Sequence, residues 1–473
     1  MTNDMTHQHQ FREFNSENLT VAIQNAFPLL SQDRDRLKEE LEKYVFPRLS
    51  FMAQDDIGSR FFLFENRYVE TEWKDMIGIH YINTSYEVEN TVMRVHLFMH
   101  ERMQENDYVG CFTLRTINET QIMLSYIYPN WKYITYDDNA LNVMTYRKKV
   151  HINGSEIVFH TYPLFVQDNA VIACAEACLV SMSKYLHSQY DYTRIHVRNI
   201  NTSYHARKNK IYPSQGLRPT QMLEILYSHN IQCEYQVYYE QQEFKEYIDY
   251  CIESALPVLV GVHVESGDQS QAEQEYLEKN KNNATGHVIQ IIGHTDVETG
   301  KEYIVYDDSG YYLKSLGRSG FVGCVNWEKL SESLKTGKDF IIYPIHEKVY
   351  ILYENFKKHV NDMLNRYDMG EGEKDKGANR GGRTMLIDNR DVKKFLREKI
   401  LENRSVSQNI HDEAFKVISM EMPHYLWCYE CQTGEGYMLF FANPTYNRRT
   451  TKNFFINKKP LICESQIGLL RYD

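Results

Sequence analysis

The sequence predicts a protein of the α+β class, in which helices and antiparallel strands occupy separate stretches of the chain. Short runs of β-branched and aromatic residues, such as TVMRVHLFMHE and SEIVFHTYPLF, are separated by Asn, Asp and Gly, which is typical of strands. Other runs place apolar residues at helical spacing. A chain of 473 residues, at about 150 residues per domain, predicts two or three domains. We expect an N-terminal helix with a β-rich domain at 1–160, a second domain at 161–345, and a mixed helix and strand region at 346–473.

Four stretches of the chain predict helices. At 32–46, Leu37 and Leu41 recur at helical spacing with charged residues on the opposite face. The other predicted helices are 170–187, 218–229, where Pro219 suits the first turn, and 350–367. The run 369–382 in the C-terminal region is rich in Gly and charge and predicts a flexible, solvated loop.

Three strands are predicted in the middle of the chain: PVLVGVHV at 257–264, HVIQIIGH at 287–294 and EYIVYDD at 302–308. The turn-rich TDVETG between the last two predicts an antiparallel hairpin. Antiparallel partners share a constant sum of residue numbers, and a turn centred near Val297 sets that sum to about 594 or 595. Since 594 − 287 is 307 and 595 − 287 is 308, we expect His287 opposite Asp307 or Asp308.

The charge and cysteine content argue against several classes of protein. Lys and Arg number 53 against 64 Asp and Glu, and the net charge of −11 argues against general nucleic-acid binding. No run approaches about eighteen apolar residues, and the N-terminus lacks the apolar stretch of a secretory signal, so we expect no membrane span. The nine cysteines are odd in number and irregularly spaced, which favours a reducing cytoplasm over a disulfide framework.

The run FVQDNAVIACAEACLVSMSKYL at 165–186 contains the strongest candidate for chemistry. Cys174 lies at the predicted start of a helix, where backbone N–H groups and the helix dipole favour a thiolate. Cys178 lies one turn further on among apolar residues and is expected to be a core thiol. His287 follows Gly286 at the start of its strand, and an aspartate is expected beside it. A carboxylate next to an imidazole stabilises the imidazolium, which a Cys–His nucleophile requires.

This order of cysteine helix, Gly-His strand and acid on the next strand resembles the papain-like cysteine peptidases, and among them the branch of bacteriocin double-glycine leader peptidases. CAEACL at 174–179 is similar to the family's Cys-Gly-x-Ala-Cys-Leu. GLRPTQMLEILYSHNI at 216–231 resembles the helix and turn that usually follow the cysteine helix, and LPVLVGV at 256–262 resembles the strand before the histidine. The resemblance covers about 161–345 and implies a papain-like catalytic domain, with a cysteine helix packed on an antiparallel sheet.

The resemblance also implies the site residues. The predicted set is Cys174 as nucleophile, His287 as proton carrier, Asp307 as the acid that orients it, and Gln167 as a side-chain donor to the oxyanion. The chain departs from the family at three points. Ala175 replaces a glycine, and Gln167 stands one position further upstream than is usual, so that Asp168 takes the expected place. Asp308 stands where the family commonly has proline, which leaves Asp308 as an alternative acid.

These residues predict a cysteine peptidase that hydrolyses a peptide or protein substrate through an acyl-enzyme on Cys174, without a metal or organic cofactor. Two alternatives stay open. The same order of Cys, His and Asp serves transglutaminase-like acyl transfer to an amine. A catalytically silent papain-like module would bind a peptide or a partner protein without cleaving it.

Other candidates are weaker. The segment from Arg194 to Arg218 contains six basic residues and no Asp or Glu, and its Arg207 and Lys208 would attract an acidic substrate if they bordered the cleft. A solvated loop is the simpler interpretation. With the calculated register, His294 is expected to pair with turn residues rather than to act in catalysis, and the strand histidine His263 is expected to be structural or to line the cleft. A zinc set of His424, Cys428, Cys431 and Cys463 holds one Cys-x-x-Cys whose members face opposite sides of a strand, so no metal site is expected.

Overall fold

The computed structural model describes most of the chain, and every structural statement below concerns that part. The described residues are 11–26, 34–49, 60–81, 89–116, 121–127, 141–168, 173–202, 216–263, 286–297, 300–318, 320–364, 382–401, 408–433, 436–445 and 461–463. Helices and strands are both abundant, and the strand pairs with described registers are antiparallel. The predicted mixed class with antiparallel sheets is confirmed.

The elements follow one another in a mixed order. The strands are β1 Arg12–Glu13, β2 Phe61–Tyr68, β3 Val92–Phe98, β4 Tyr108–Leu114, β5 Ile122–Ile127, β6 Leu141–Val143, β7 Tyr146–Ile152, β8 Ser155–Phe165, β9 Cys233–Val237, β10 Val258–His263, β11 Gly286–Val297, β12 Gly300–Tyr306, β13 Val322–Asn326, β14 Phe340–Pro344, β15 Arg383–Asp388, β16 Tyr425–Thr433, β17 Gly436–Ala442 and β18 Leu461–Cys463. The α-helices are α1 Ser16–Ala26, α2 Arg34–Tyr44, α3 Thr71–Ile79, α4 Cys174–Tyr190, α5 Val197–Thr202, α6 Pro219–Ser228, α7 Gln241–Glu253, α8 Tyr311–Ser315, α9 Trp327–Glu332, α10 Tyr353–Leu364, α11 Asn389–Leu396 and α12 Gln408–Ser419.

The strands form three sheets, with the orders β1-β2-β3-β4-β5-β8-β7, β13-β12-β11-β10-β14-β9 and β15-β16-β17-β18. The short strand β6 pairs with β11 at the side of the second sheet. Helix α4 packs against β8 of the first sheet and against β11 of the second. The N-terminus of α4 therefore lies beside the strand that carries His287.

Two compact units emerge from the contacts within the chain. One comprises Met1–Tyr239 and Leu259–Ile342, and the other comprises Glu240–Val258 and Tyr343–Asp473. The sequence predicts three regions instead. Its boundary after residue 160 falls inside β8, because the strand of the β-rich region continues directly toward the cysteine helix. Its boundary after residue 345 lies close to the second junction between the units.

Most of the elements predicted from periodicity are confirmed. The helices predicted at 32–46, 170–187, 218–229 and 350–367 correspond to α2, α4, α6 and α10, and the three predicted strands correspond to β10, β11 and β12. In α2 the predicted core residues Leu37 and Leu41 are buried. Helix α1 was not predicted, although its Leu19, Ala22 and Ile23 form a buried stripe. The predicted loop 369–382 lies outside the described residues, apart from Gly382.

The predicted register of the β11–β12 hairpin is wrong. Paired residue numbers sum to 596 at Gln290↔Tyr306 and to 597 at His294↔Tyr303, instead of 594 or 595. Val297 pairs with Gly300, so the turn is centred beyond Val297 and the sum next to it is 597, and a bulge between Ile291 and Gly293 lowers the sum by one. His294 consequently pairs within the ladder and is buried, instead of facing turn residues. The described pairing ends at Gln290, before His287 is reached.

The second unit has its own apolar core. Residues of β15, β16 and β17 pack with α11 and α12 around Val392, Leu396 and Phe441, which are fully buried. The rings of Tyr250 on α7 and Tyr353 on α10 stack with centroids 4.9 Å apart. No helix in the described ranges has the length and apolarity needed to cross a membrane.

Candidate active site

Cys174 is the first residue of α4, and the local sequence explains why the helix begins there. Ala173 is extended, with φ −103° and ψ −179°, and its carbonyl accepts the first intrahelical bond, from Ala177 N at 3.0 Å. Three residues into the helix, the Glu176 carboxylate accepts a hydrogen bond from Ala173 N at 2.8 Å. This contact is the acidic half of a capping box. Cys174 is thereby held at the positive end of the helix dipole.

Exposure separates Cys174 from the other cysteines. Among the eight cysteines whose burial the structure describes, seven are buried and Cys174 is partly exposed. Cys178 is fully buried, as expected, and its thiol donates a hydrogen bond to Val288 O at 3.5 Å. Burial raises the pKa of Cys178 well above its ordinary value, and the Asp308 charge adds to the effect. Cys178 is therefore an unreactive core thiol, whereas reagents can reach Cys174.

His287 makes contact with both Cys174 and Asp307. Its Nε2 lies 2.8 Å from Asp307 Oδ1, and its side chain is also hydrogen-bonded to Cys174. Because Nε2 faces the carboxylate, Nδ1 is the ring nitrogen left for the sulfur. Burial by itself lowers the pKa of His287, but the charges of Asp307 and Cys174 and the two hydrogen bonds outweigh it and raise the pKa well above the ordinary value. The imidazolium form is favoured.

Asp307 follows β12 directly and is fully buried. Its Oδ2 accepts a hydrogen bond from Leu313 N at 3.1 Å, and its Oδ1 accepts from both the backbone and the hydroxyl of Ser309. Burial raises the pKa of a carboxyl, but here the adjacent His287 charge and these hydrogen bonds lower it below its ordinary value. Asp307 is therefore held as a carboxylate that accepts a hydrogen bond from His287 Nε2.

The two candidate acids differ in distance. Asp308 is also fully buried, and its Oδ1 lies 3.8 Å from His287 Nε2, against 2.8 Å for Asp307 Oδ1. Only the shorter distance is that of a hydrogen bond. The choice that the sequence leaves open between the two acids is thus resolved geometrically in favour of Asp307 as the acceptor.

Gln167 and Asp168 lie just after β8, on the other side of residues 169–172, which are outside the described part. Gln167 is partly exposed, and its role at the oxyanion stays a prediction. The Asp168 side chain is fully buried, accepts a hydrogen bond from Tyr81 Oη at 2.9 Å and lies 3.7 Å from Arg115 Nη1. Asp168 therefore belongs to a buried ion pair of the first unit, which is a structural role.

Only part of the predicted basic segment can be placed. Arg207 and Lys208 lie outside the described residues. Arg194, at the start of the segment, contacts the buried carboxylate of Glu72 at 2.5 Å. That arginine is therefore engaged in an internal ion pair, and a substrate-lining role stays a prediction for Arg207 and Lys208 alone.

Two groups of side chains in the described residues have ligand atoms close enough together to hold a cation. One is His287 with Asp307 and Asp308, and the other is Glu72 with Asp75 and His196. In the second group, Glu72 already forms ion pairs with Lys184, whose Nζ lies at 2.7 Å, and with Arg194. These two side chains supply the positive charge that a bound cation would otherwise supply. In the first group, His287 Nε2 lies at hydrogen-bond distance, 2.8 Å, from Asp307 Oδ1.

Residues of the zinc set that the sequence argues against make other contacts. His424 Nε2 lies 2.9 Å from Asp388 Oδ2. Cys428 belongs to the apolar core of the second unit, and Cys431 is also buried.

A cavity of about 260 Å³ in the second unit, lined by α7 and α10, contains none of the predicted site residues. Its Glu246 pairs with Lys357, and its Glu354 accepts a hydrogen bond from Tyr247.

Sequence reasoning missed Ser309, which contacts Asp307, and Glu176, which contacts the backbone at the start of α4. The signal for Ser309 is Asp-Asp-Ser-Gly directly after a strand, because a turn in which the first aspartate accepts from the backbone N–H two residues on is typical of such a run. The signal for Glu176 is an acidic residue three positions after Ala173, the residue that precedes the helix.

No protein-family model matches this chain, and no curated protein matches its sequence.

Proposed function

We propose that the protein is a cysteine peptidase that cleaves a peptide or amide bond through an acyl-enzyme on Cys174. The observation that carries this proposal is the position of His287, which is hydrogen-bonded to Cys174 and to the buried carboxylate of Asp307. The partial exposure of Cys174 and the chain order of the three residues support it. A papain-like arrangement is part of the proposal, supported by the resemblance of 161–345 and by the packing of α4 on β11.

The mechanism begins with the thiolate of Cys174 and the imidazolium of His287. The sulfur attacks the carbonyl carbon of the substrate, and the carbonyl oxygen becomes an oxyanion. His287 then transfers its proton to the leaving amine, the carbon–nitrogen bond breaks, and a thioester remains on Cys174. Water attacks the thioester, His287 accepts a proton from it, and the free acid leaves. Asp307 accepts the Nε2 hydrogen bond throughout and stabilises the charged ring.

The oxyanion is stabilised by donors at the start of α4. The N–H of Cys174 precedes the first intrahelical hydrogen bond, which Ala177 N makes to Ala173 O, so it is oriented for an external acceptor. The amide of Gln167 is proposed as the second donor. A Gln167→Glu substitution would remove the donor while keeping the size, and we expect about a 10²-fold loss of turnover with little change in stability.

A thiol-directed probe tests the proposal in the folded full-length chain. We expect an epoxide or iodoacetamide to add one label at Cys174, located by peptide mass spectrometry. Cys174→Ala should abolish that label, and the matched variant Cys178→Ala should retain it, because Cys178 is buried. Equal labelling of the wild type and Cys174→Ala would contradict the proposal.

The products identify the reaction. In a peptide mixture with an added primary amine, a free carboxylic acid that depends on Cys174 supports hydrolysis. An amide product would replace hydrolysis with acyl transfer. A labelled Cys174 without any product in a broad peptide library would favour the silent binding module.

A further inference from the structure

The turn after β12 brings Ser309 back over Asp307. Gly310 N donates to Asp307 O at 3.2 Å, and Gly310 has φ +74°, a conformation that glycine adopts without strain. A Cβ on Gly310 would also lie 3.1 Å from Gly320 O. In this turn Ser309 N donates to Asp307 Oδ1 at 3.2 Å. The backbone thus places a nearly buried serine directly against the carboxylate, since Ser309 is 7% exposed.

The hydroxyl of Ser309 has a defined direction. Tyr311 N donates to Ser309 Oγ at 3.3 Å, so the oxygen already accepts one hydrogen bond. Ser309 Oγ lies 3.0 Å from Asp307 Oδ1, and an ionised carboxylate can only accept. The hydroxyl proton therefore points to Asp307. The distance from Ser309 Oγ to His287 Nε2 is 3.5 Å, so the hydroxyl adjoins the His287–Asp307 hydrogen bond without replacing it.

This arrangement bears on which acid serves His287. Asp307 Oδ1 accepts from His287 Nε2, from Ser309 N and from Ser309 Oγ, while Asp308 Oδ1 lies only 3.8 Å from the same Nε2. A modest rotation of the Asp307 side chain would lengthen the distance from its Oδ1 to His287 Nε2. The two aspartates would then lie at more similar distances from the ring. The hydroxyl opposes that rotation, because turning Oδ1 away breaks a charge-assisted hydrogen bond.

We propose that Ser309 is a positioning residue, whose hydroxyl holds Asp307 Oδ1 on His287 Nε2 and makes Asp307, not Asp308, the acid of the site. The inference rests on the proposed cysteine peptidase function. It acts through Asp307: without the hydroxyl, Asp307 protonates more readily in acid, and the imidazolium loses its counter-charge. Ser309 therefore matters most on the acidic side of neutrality.

A pair of variants with the same shape tests the role of the hydroxyl. Ser309→Thr keeps it and Ser309→Val lacks it, while the two side chains have nearly equal volume. The rate of Cys174 alkylation by iodoacetamide is measured on the full-length protein across pH. We expect Ser309→Thr to follow the wild type, and Ser309→Val to be about tenfold slower near pH 5 and close to wild type near pH 9. Ser315→Ala, an exposed position in the short helix α8 that follows the Ser309 turn, is the control and should match the wild type.

The outcomes separate the two proposals. The positioning role would be overturned if Ser309→Thr and Ser309→Val had identical alkylation rates across pH. It would also be overturned if Ser309→Val slowed alkylation by the same factor at every pH. His287→Ala is run in the same assay. If it removes the reactivity on the acidic side while Ser309→Val does not, the peptidase proposal stands and the Ser309 inference fails. If His287→Ala leaves the profile unchanged, the peptidase proposal fails and the Ser309 inference fails with it.

Discussion

Glu72 and Asp307 are fully buried carboxylates of the first unit that each lie beside a histidine, but their partners differ. Glu72 on α3 contacts Lys184 Nζ at 2.7 Å and Arg194 at 2.5 Å. The cationic partner of Asp307 is His287, whose Nε2 lies 2.8 Å from Asp307 Oδ1. The other described groups that donate hydrogen bonds to Asp307 are neutral. Burial opposes ionisation of both acids, yet their partners lower the pKa of each below its ordinary value.

The difference indicates what each carboxylate does. Lys and Arg keep their charge across the neutral range, so the Glu72 group ties α3 to α4 in one fixed charge state. A histidine is the side chain that titrates near neutrality, so the charge beside Asp307 can change during a reaction. His196 also lies near Glu72, with Nδ1 at 3.4 Å, but Glu72 already has two stronger cationic contacts. We therefore expect Glu72 to govern stability and Asp307 to govern reactivity.

The largest effect is expected on turnover when the reacting pair is broken. Cys174→Ala or His287→Ala should each reduce peptide hydrolysis by about 10⁴-fold or more, because neither the nucleophile nor the proton carrier has a substitute. The urea midpoint should change far less than the rate. Initial rates on a cleaved peptide give the first quantity and fluorescence-detected unfolding gives the second. If the folded Glu72→Gln protein lost as much activity as these two variants, the contrast between the carboxylates would disappear.

The next largest effect is expected on stability when Glu72 is neutralised. Glu72→Gln removes the nearer of the two carboxylates beside the buried Lys184, whose Nζ then has only Glu70 Oε1 at 3.7 Å among its described ion pairs, and the free energy of unfolding should fall by about 3–5 kcal/mol. Equilibrium unfolding in urea measures the loss. Asp75→Asn, on the same helix but only partly buried, is the matched control and should lose no more than about 1 kcal/mol. Similar losses for the two variants would show that the Lys184–Glu72 contact is not the basis of the effect.

A smaller effect is expected when Asp307 is changed. Asp307→Asn keeps the shape but removes the counter-charge of His287, and turnover near neutral pH should fall by about 10²-fold. Asp308→Asn is the matched control, and its rate should fall by less than about tenfold because of its longer distance to Nε2. A larger loss for Asp308→Asn than for Asp307→Asn would reassign the acid.

The pH dependence of stability gives a further contrast, between the imidazole of His287 and the two carboxylates. The raised pKa of His287 contributes stability that is fully present below the ordinary histidine value of about 6.5 and is lost as the pH rises through the folded-state value. The lowered pKa values of Glu72 and Asp307 contribute stability that is present above the ordinary carboxyl values and is lost as the pH falls. Urea midpoints of the wild type and His287→Ala should therefore converge in alkaline solution. A difference between these two urea midpoints that stayed constant at all pH values would contradict the link between the raised pKa of His287 and stability.

The sequence predicts the elements around the site better than their register. Periodicity and Pro219 locate α4, α6, β10, β11 and β12, because each signal is local. The hairpin register depends on where the turn closes and on the bulge after Ile291, and neither is encoded by alternation alone. His287 still meets Asp307, because the contact forms beyond the described ladder, where the turn at Ser309 brings the carboxylate inward. That contact depends on the three-dimensional path of the turn.

Another buried carboxylate, that of Glu176, provides the smallest expected effect and completes the comparison. Its described bond is to a backbone donor, Ala173 N, at the start of the cysteine helix. Glu176→Ala should lower the free energy of unfolding by about 1–2 kcal/mol, whereas Glu176→Gln keeps an acceptor oxygen and should lose less. Urea unfolding of the two variants measures the difference. Because the bond orients the turn that precedes Cys174, Glu176→Ala should also slow Cys174 alkylation, and by a similar factor at every pH. A pH-dependent loss like the one expected for Ser309→Val would instead make Glu176 part of the proton-controlling group around His287.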